Sequence, residues 1–104
     1  MSIETIGEKL RQLREQRELP LRKVAAMIDI DVAILSKMER GVRMFTKNII
    51  MQLAKIYEYN VDDLLVIFLS DKILYELQDE ELGSKALKVA EQRMKYNIKT
   101  NDKK

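Results

Sequence analysis

Apolar side chains recur at helical spacing along almost the whole chain, and residues that interrupt helices are few. The 104 residues include one proline and three glycines. The chain is rich in leucine, isoleucine, lysine, glutamate, glutamine and methionine, which favour helices or are neutral in them. Hydrophobic residues make up 46% of the chain and charged residues 35%, a balance typical of folded proteins. The sequence therefore predicts an all-α fold.

Capping residues and breakers divide this pattern into six helices. Thr5 with Glu8 forms a capping box before the first helix, Pro20 suits the first turn of the second, and Gly41 ends the third. Later helices have N-cap candidates at Asp31, Thr46, Asn60 and Asp79. The predicted helices span residues 6–18, 21–28, 32–40, 47–57, 61–77 and 80–96. The polar residues 97–104 are expected to fray.

Residues 66–77 are the ambiguous part of the pattern. Residues 66–69 are of types that favour strands, and Ser70 with Asp71 forms a polar pair that can break a helix, so a β-hairpin is the alternative. The apolar spacing at positions 65, 69, 73 and 77 continues through the polar pair, which favours one long helix. Four methionines are interpreted as core-filling side chains: Met27, Met38, Met44 and Met51.

The chain has no cysteine and no histidine, which removes most common site chemistry. Disulfide scaffolds, the usual zinc sites, histidine bases and cysteine nucleophiles are excluded. There is no glycine-rich phosphate loop, so we expect no enzyme, no metal and no cofactor. No apolar run follows a basic start, and the longest apolar run, residues 64–69, is too short to span a bilayer. We expect a soluble, cytoplasmic protein without a membrane partner.

Positive charge is concentrated mildly in the first half of the chain. The net charge is +2, and residues 1–50 hold ten lysines and arginines against seven acidic residues. Residues 51–104 hold nine against ten. This distribution permits nucleic-acid binding by the first half without demonstrating it.

The predicted helices 21–28 and 32–40 are short and are joined by a turn at residues 29–31. Such a pair can form a helix-turn-helix, in which the second helix enters the major groove of DNA. Helix pairs of this size also occur as plain core elements, so their length alone is weak evidence.

Several stretches add specificity to this motif. They are residues 6–14 (IGEKLRQLR), 24–25 (VA), 34–41 (ILSKMERG), 53–55 (LAK) and 61–65 (VDDLL), and the end of the third, SKMERG, is the most specific. The chain from Ile6 to Leu65 resembles the phage-repressor and Cro-like (Xre) helix-turn-helix family of DNA-binding regulators. The resemblance implies a five-helix lambda-repressor-like domain, residues 1–65, whose third helix reads DNA. Residues 66–104 would form a C-terminal helical extension.

The resemblance also implies roles for individual residues. The positions facing base edges would be Val32, Ala33, Ile34 and Lys37. The phosphate contacts would come from Arg22, Ser36, Arg43, Lys47 and Asn48, for which the alternative is an ordinary solvated surface. Arg14 and Glu39 would form a partly buried ion pair that ties helix one to helix three, or else two separate surface charges.

Two positions depart from the family pattern. Leu21 occupies a position that is usually glutamine, whose amide binds a phosphate. The start of helix three is apolar where polar residues are usual. Val32 and its neighbours can contact a thymine methyl group and Lys37 can donate to guanine, but this apolar face is also compatible with a protein partner.

The extension carries two apolar stripes that a chain of this size has little surface to cover. They consist of Leu65, Leu69, Ile73 and Leu77, and of Leu87, Ala90 and Met94. A helical hairpin that pairs with a second copy would bury both stripes. The alternative is a hairpin that folds back onto its own domain.

These observations favour a transcriptional regulator that binds a palindromic operator as a homodimer through residues 32–40. A phage-type repressor, an antitoxin that represses its own operon and a restriction-modification controller are not separated by the sequence. The second hypothesis is a protein-interaction module that reuses the fold to bind a toxin or another protein, with weak DNA binding or none.

Overall fold

The structure is a computed structural model that describes residues 4–101, with the side chains described through residue 98. Across residues 4–101 the chain forms six α-helices and no strand. The helices are α1 (Ile6–Gln16), α2 (Leu21–Met27), α3 (Val32–Glu39), α4 (Lys47–Ile56), α5 (Val61–Leu77) and α6 (Gly83–Asn101). The prediction of an all-helical chain is confirmed.

The polar pair in the middle of α5 does not break the helix, because both side chains find partners. The Ser70 hydroxyl donates to the Ile67 carbonyl oxygen at 2.8 Å, as hydroxyls inside helices commonly do. Asp71 Oδ2 accepts a hydrogen bond from the Ile6 backbone N–H at 2.9 Å and so caps the first turn of α1. The alternative of a β-hairpin at residues 66–77 is therefore wrong.

Left-handed residues end the helices of this chain. After α3, Gly41 has φ +80°, its N–H donates to Met38 O at 3.1 Å, and the Val42 N–H donates to Lys37 O at 2.9 Å. This is a Schellman motif. The same left-handed position after α1, α2 and α4 is occupied by Glu18, Asp29 and Glu58. Because these residues are not glycine, the pattern did not reveal them, and α1 to α4 end one or two residues before the predicted positions.

The last helix differs most from its predicted bounds. Asp79 has φ +69°, which is incompatible with the extended backbone of an N-cap. α6 therefore begins at Gly83 rather than at residue 80, and the prediction of Asp79 as its cap is wrong. The helix continues to Asn101, and the fraying expected from residue 97 stays a prediction. Residues 102–104 lie outside the described residues.

The chain divides into two compact units, and the first ends at Lys72. Its hydrophobic core consists of side chains from α1 to α5 and their connections; the largest fully buried ones are Tyr57, Leu10, Leu35, Ile50, Leu53, Leu64 and Val24. Phe68 is also in this core at 3% exposed, and Asp71 caps α1. The unit therefore extends past Leu65, where the predicted domain ended, because α5 contributes another two turns to it.

Only one of the four methionines interpreted as core residues is buried. Met38 is 4% exposed, whereas Met27, Met44 and Met51 are each more than half exposed. The core interpretation is wrong for these three. Their spacing within short helices and loops did not place them on the inward stripe.

The second unit runs from Ile73 and contains α6. The backbone approaches itself closely at the start of α6, where a Cβ added to Gly83 would lie 3.0 Å from the Leu77 carbonyl oxygen. Every side chain described from Ser84 to Ile98 is exposed. Among the described residues, this unit has no hydrophobic core of its own.

Candidate nucleic-acid interface

The helix-turn-helix is formed by α2 and α3, which contact each other across their inward faces. Val24 and Ala25 of α2 and Leu35 and Met38 of α3 are buried. At the turn, the Asp31 carboxylate accepts a hydrogen bond from the Ala33 N–H at 2.7 Å. Asp31 is thus an N-cap of α3, and this acidic side chain is held by the helix it starts.

α1 supports the end of α3 by a close backbone approach at Gly7. A Cβ placed on Gly7 would lie 2.8 Å from the Met38 carbonyl oxygen and closer still to that of Glu39. Real Cβ atoms do not approach backbone oxygens this closely, so glycine is required here by space rather than by its backbone angles. Sequence reasoning included Gly7 in a family motif but gave no reason for it.

The Arg14–Glu39 pair connects the same two helices. Arg14 Nε lies 2.9 Å from Glu39 Oε2, and a second hydrogen bond joins the guanidinium to Glu39 Oε1 at 3.0 Å. The third contact of Arg14 is to the Leu19 carbonyl oxygen at 2.9 Å. The two side chains are only 13% and 5% exposed. This two-pronged geometry fixes α3 against both α1 and the connection to α2.

The hydrogen bonds that Arg14 donates to the Glu39 carboxylate raise the pKa of Arg14, and this effect exceeds the opposing effect of burial. Tyr57 lies beside this pair with its side chain fully buried. Its hydroxyl has no hydrogen-bond partner among the described residues. Burial raises the pKa of the Tyr57 phenol, and the negative charge of Glu39 raises it further. The support of α3 thus contains one satisfied charge pair and one unsatisfied hydroxyl.

The outward face of α3 is the candidate reading surface. Val32, Ala33 and Lys37 are exposed, and Ser36 is half-buried. Because successive helical residues are turned by about 100°, these four positions share one face. Arg40 falls within the same face and is also exposed. Sequence reasoning did not select Arg40, although its spacing from Lys37 and Ser36 signals it.

Ile34 lies away from this face. Its side chain is half-buried and packs against the hydrophobic core. The structure therefore places three of the four residues assigned to base edges on one exposed surface, and gives Ile34 a packing position at its border.

The residues assigned to phosphates are distributed around the helix-turn-helix. Arg22 of α2, Arg43 of the following loop, and Lys47 and Asn48 in the first turn of α4 are all exposed. The Arg43 N–H donates to the Lys37 carbonyl oxygen at 3.3 Å, which holds the loop to the end of α3. Thr46 caps α4 through the Ile49 N–H at 3.2 Å.

The segment from the residue after α3 to the residue after α4 contains no acidic residue. Residues 40–57 contain four basic residues and no aspartate or glutamate; the basic residues are Arg40, Arg43, Lys47 and Lys55. The preceding acid, Glu39, is buried and neutralised by Arg14. The loop and α4 therefore carry a net positive charge, which favours contact with phosphates.

Other site types find no support among residues 4–101. No three acidic side chains there form a group that could hold a metal ion. None of the described helices is both long and apolar enough to cross a membrane.

Comparison with known proteins identifies the same segment. A family model described as Helix-turn-helix matches residues 10–64, more than half of the chain. No curated protein and no solved structure matches it. The matched residues contain α2, α3 and α4 entire, together with Arg14, Glu39 and the exposed face of α3. The chain belongs to the Xre/Cro-like helix-turn-helix family of DNA-binding regulators.

Proposed function

We propose that the protein is a transcriptional regulator, acting as a repressor or operon controller, that binds a palindromic operator as a homodimer. The observation that carries the proposal is the exposed face of α3, with Lys37 and Arg40 beside Val32 and Ala33. The opposite side of α3 is anchored by Glu39 on Arg14. A helix fixed from behind and free in front is suited to the major groove.

The chemistry of this face and of the residues around it supports separate roles in base recognition and in phosphate binding. Lys37 can donate to the O6 and N7 atoms of guanine, and the methyl groups of Val32 and Ala33 suit the C5 methyl of thymine. Arg22, Arg43 and Lys47 can neutralise phosphates on either side of the groove. The first turn of α4 adds backbone N–H groups and the positive end of a helix dipole.

The two apolar stripes of α5 and α6 support a homodimer. Leu69, Ile73, Leu87 and Met94 are each more than 40% exposed, and burial against a second copy would remove this apolar surface from water. A two-fold axis would present two copies of α3 to successive major grooves, about 34 Å apart. The operator would then be a near-palindrome.

Selection of bound duplexes from a random pool, followed by anisotropy titrations at several salt concentrations, tests this function. We expect Arg43→Ala and Lys47→Ala to weaken binding to all sequences and to lower the salt slope by about one unit each. We expect Lys37→Ala to change the preferred sequence. Arg11→Ala, on the exposed side of α1, is the matched control. A uniform loss with Lys37→Ala would overturn the base-edge assignment.

One observation favours the second candidate, a protein-interaction module. Val32, Val42 and Met44 are exposed apolar residues on or next to α3, at 43%, 68% and 59%. Such side chains contribute to protein interfaces more readily than to phosphate contacts. Absence of any salt-sensitive DNA binding in the titrations would favour this candidate over the regulator.

A further inference from the structure

α6 carries its lysines and its apolar side chains on different sides. The apolar side consists of Leu87, Ala90 and Met94. Because successive helical residues are turned by about 100°, Lys85 lies almost directly opposite the middle of that side. Lys88 and Lys95 lie more than about 100° around the helix axis from it. All these side chains are exposed, so α6 has a basic side that is separate from its apolar side.

The basic side of α6 contains neither an acidic nor an apolar residue. Lys85, Lys88 and Lys95 fall within an arc of about 80° around the helix. The remaining helical positions of that arc are occupied by Gln92 and Lys99. The basic side is therefore a continuous series of lysines, interrupted by one neutral amide.

Glu91 is the one acidic residue among residues 83–101, which contain five basic residues. It lies at the border of the basic side, and its Oε1 atom is 3.7 Å from Lys95 Nζ. Both side chains of this ion pair are highly exposed, at 67% and 76%. Ion pairs between such exposed side chains are weak, so Lys95 can exchange Glu91 for another anion. Positive charge therefore dominates the basic side.

The composition of the basic side indicates the kind of partner that it fits. Protein interfaces have an apolar centre from which lysine is depleted, and the basic side offers no apolar contact. In a helix that lies in a membrane surface, the apolar side enters the bilayer, and lysines on the opposite side would then point away from the headgroups. A polyanion that contacts only the lysines is the partner that this arrangement suits.

The spacing of the lysines suits the charge density of duplex DNA. Lys85 and Lys95 are ten positions apart, which is about 15 Å along the helix axis. One DNA strand carries a phosphate about every 3.4 Å along the duplex axis, so about four phosphates lie within the same length. Each of the three exposed lysines can therefore contact a phosphate of its own. The flexible stem of lysine lets its ammonium group reach a phosphate without a fixed geometry.

We propose that the basic side of α6 is a second phosphate-binding surface of this protein, which contacts the backbone of the duplex DNA that α3 reads. The proposal rests on the proposed function, because it requires that the protein binds DNA. Contacts to phosphates fix position and carry no sequence information. The apolar side of α6 stays available to a second copy, so DNA binding and dimerisation by the same helix do not exclude each other.

Two variants that each remove three positive charges test this surface. The test variant carries Lys85→Gln, Lys88→Gln and Lys95→Gln. The control variant loses the same charge at exposed positions outside the basic side: Arg11→Gln, Lys72→Gln and Arg93→Gln. Thermal melts by circular dichroism establish that both full-length chains fold.

Fluorescence anisotropy titrations of duplex DNA at several salt concentrations measure the outcome. We expect the test variant to lower the salt slope by about three units for each bound protomer. Its affinity should fall alike for all duplex sequences, because phosphate contacts are independent of sequence. We expect the control variant to keep the slope of the unchanged chain. An unchanged slope in the test variant, or an equal fall in both variants, would overturn the proposal.

The absence of cysteine from the chain permits a direct test of contact. Gln92→Cys places one thiol in the middle of the basic side, and Ala90→Cys places one on the apolar side. Each thiol is labelled with a photoactivated crosslinker, and the protein is irradiated in complex with duplex DNA. We expect crosslinks to DNA from position 92 and none from position 90. Crosslinks from neither position, or equally from both, would contradict the assignment.

The outcomes separate this proposal from the proposed function. If Arg43→Ala and Lys47→Ala lower the salt slope but the test variant does not, the second surface is refuted and DNA recognition stands. If the unchanged chain shows no salt-sensitive DNA binding, both are refuted. Vesicles of phosphatidylglycerol and phosphatidylcholine provide the last comparison. Vesicle binding that the test variant loses, without any change in its DNA binding, would assign the basic side to a membrane surface and overturn the proposal.

Discussion

The two units of the chain differ in whether they bury their apolar side chains. In the first, helices of seven to eleven residues are held by a shared core, and every core side chain that the structure describes lies at or before Phe68. In the second, α6 is the longest helix, yet no side chain described from Ser84 to Ile98 is buried. The short helices are stabilised by packing on one another, whereas the long α6 leaves its apolar side chains exposed.

α5 contributes residues to both units, so the position at which it is cut gives the largest predicted effect. Truncation after Leu65 removes Phe68 from the core and Asp71 from α1, and we expect it to lower the free energy of unfolding of the first unit by about 4 kcal/mol. Truncation after Lys72 keeps both residues and should leave a cooperatively folding monomer. Urea titration followed by circular dichroism compares the two. Equal midpoints would mean that the first unit ends earlier than its packing indicates.

The next effect concerns the support of α3. Glu39→Gln removes the carboxylate that pairs with the almost buried guanidinium of Arg14. We expect the free energy of unfolding to fall by about 3 kcal/mol and DNA binding to weaken. The control is Glu15→Gln, whose partner Arg11 is exposed and whose loss should cost under about 1 kcal/mol. Similar melting temperatures for the two variants would show that burial of the Arg14–Glu39 pair has no energetic consequence.

Gly7→Ala tests the backbone approach between α1 and α3. The added methyl group meets backbone oxygens that cannot rotate away, so the two helices must move apart. We expect the free energy of unfolding to fall by about 2 kcal/mol. Gln12→Ala, on the exposed side of α1, should change stability by no more than about 0.5 kcal/mol. Chemical denaturation of both proteins provides the measurement. A Gly7→Ala protein as stable as its control would contradict the close approach.

The smallest predicted effect involves Tyr57. Tyr57→Phe removes a buried hydroxyl without a partner, so we expect unchanged stability or a gain of up to about 1 kcal/mol at neutral pH. The pKa of Tyr57 is raised in the folded state from its ordinary value of 10.0. The contribution of Tyr57 to the free energy of unfolding is therefore constant below pH 10. It is lost as pH rises above that value, because Tyr57 ionises first in the unfolded chain.

Melting temperatures between pH 8 and pH 11 would reveal this loss. We expect the unchanged protein to lose stability above pH 10 more steeply than Tyr57→Phe does. Tyr75→Phe, at a residue that is 68% exposed, serves as the control and should follow the unchanged protein. Parallel curves for all three would refute the assignment of the alkaline effect to Tyr57.

The helices could be predicted from the sequence where the spacing of apolar residues agreed with the positions of capping residues. Thr5, Asp31 and Thr46 cap the helices predicted for them, and the spacing through Ser70 correctly favoured one helix. The failures occurred where the backbone conformation depended on residues with no such preference. Glu18 and Glu58 take a left-handed conformation usually given to glycine, and Asp79 ends α5 instead of starting α6.

The candidate site was predictable in outline and not in its boundaries. The family pattern places Lys37 and Val32 on α3, but it does not distinguish Ile34, which the core draws inward, from Arg40, which the same helix turns outward. The sequence already contained the run of residues 40–57 without acidic residues, followed by mainly acidic charges at 58–81 and mainly basic charges at 83–101. A net charge for each half of the chain averages over such blocks, and only the placement of helices gave them boundaries.

The attachment of α3 has a consequence for changing what this protein recognises. Gly7, Arg14 and the core hold α3 from one side, and none of the residues that face outward takes part in that attachment. Positions 32, 33, 37 and 40 can therefore be rewritten as a set while the scaffold stays intact. We expect a library randomised at these four codons to yield folded proteins, and to yield altered sequence preferences if α3 reads DNA as proposed.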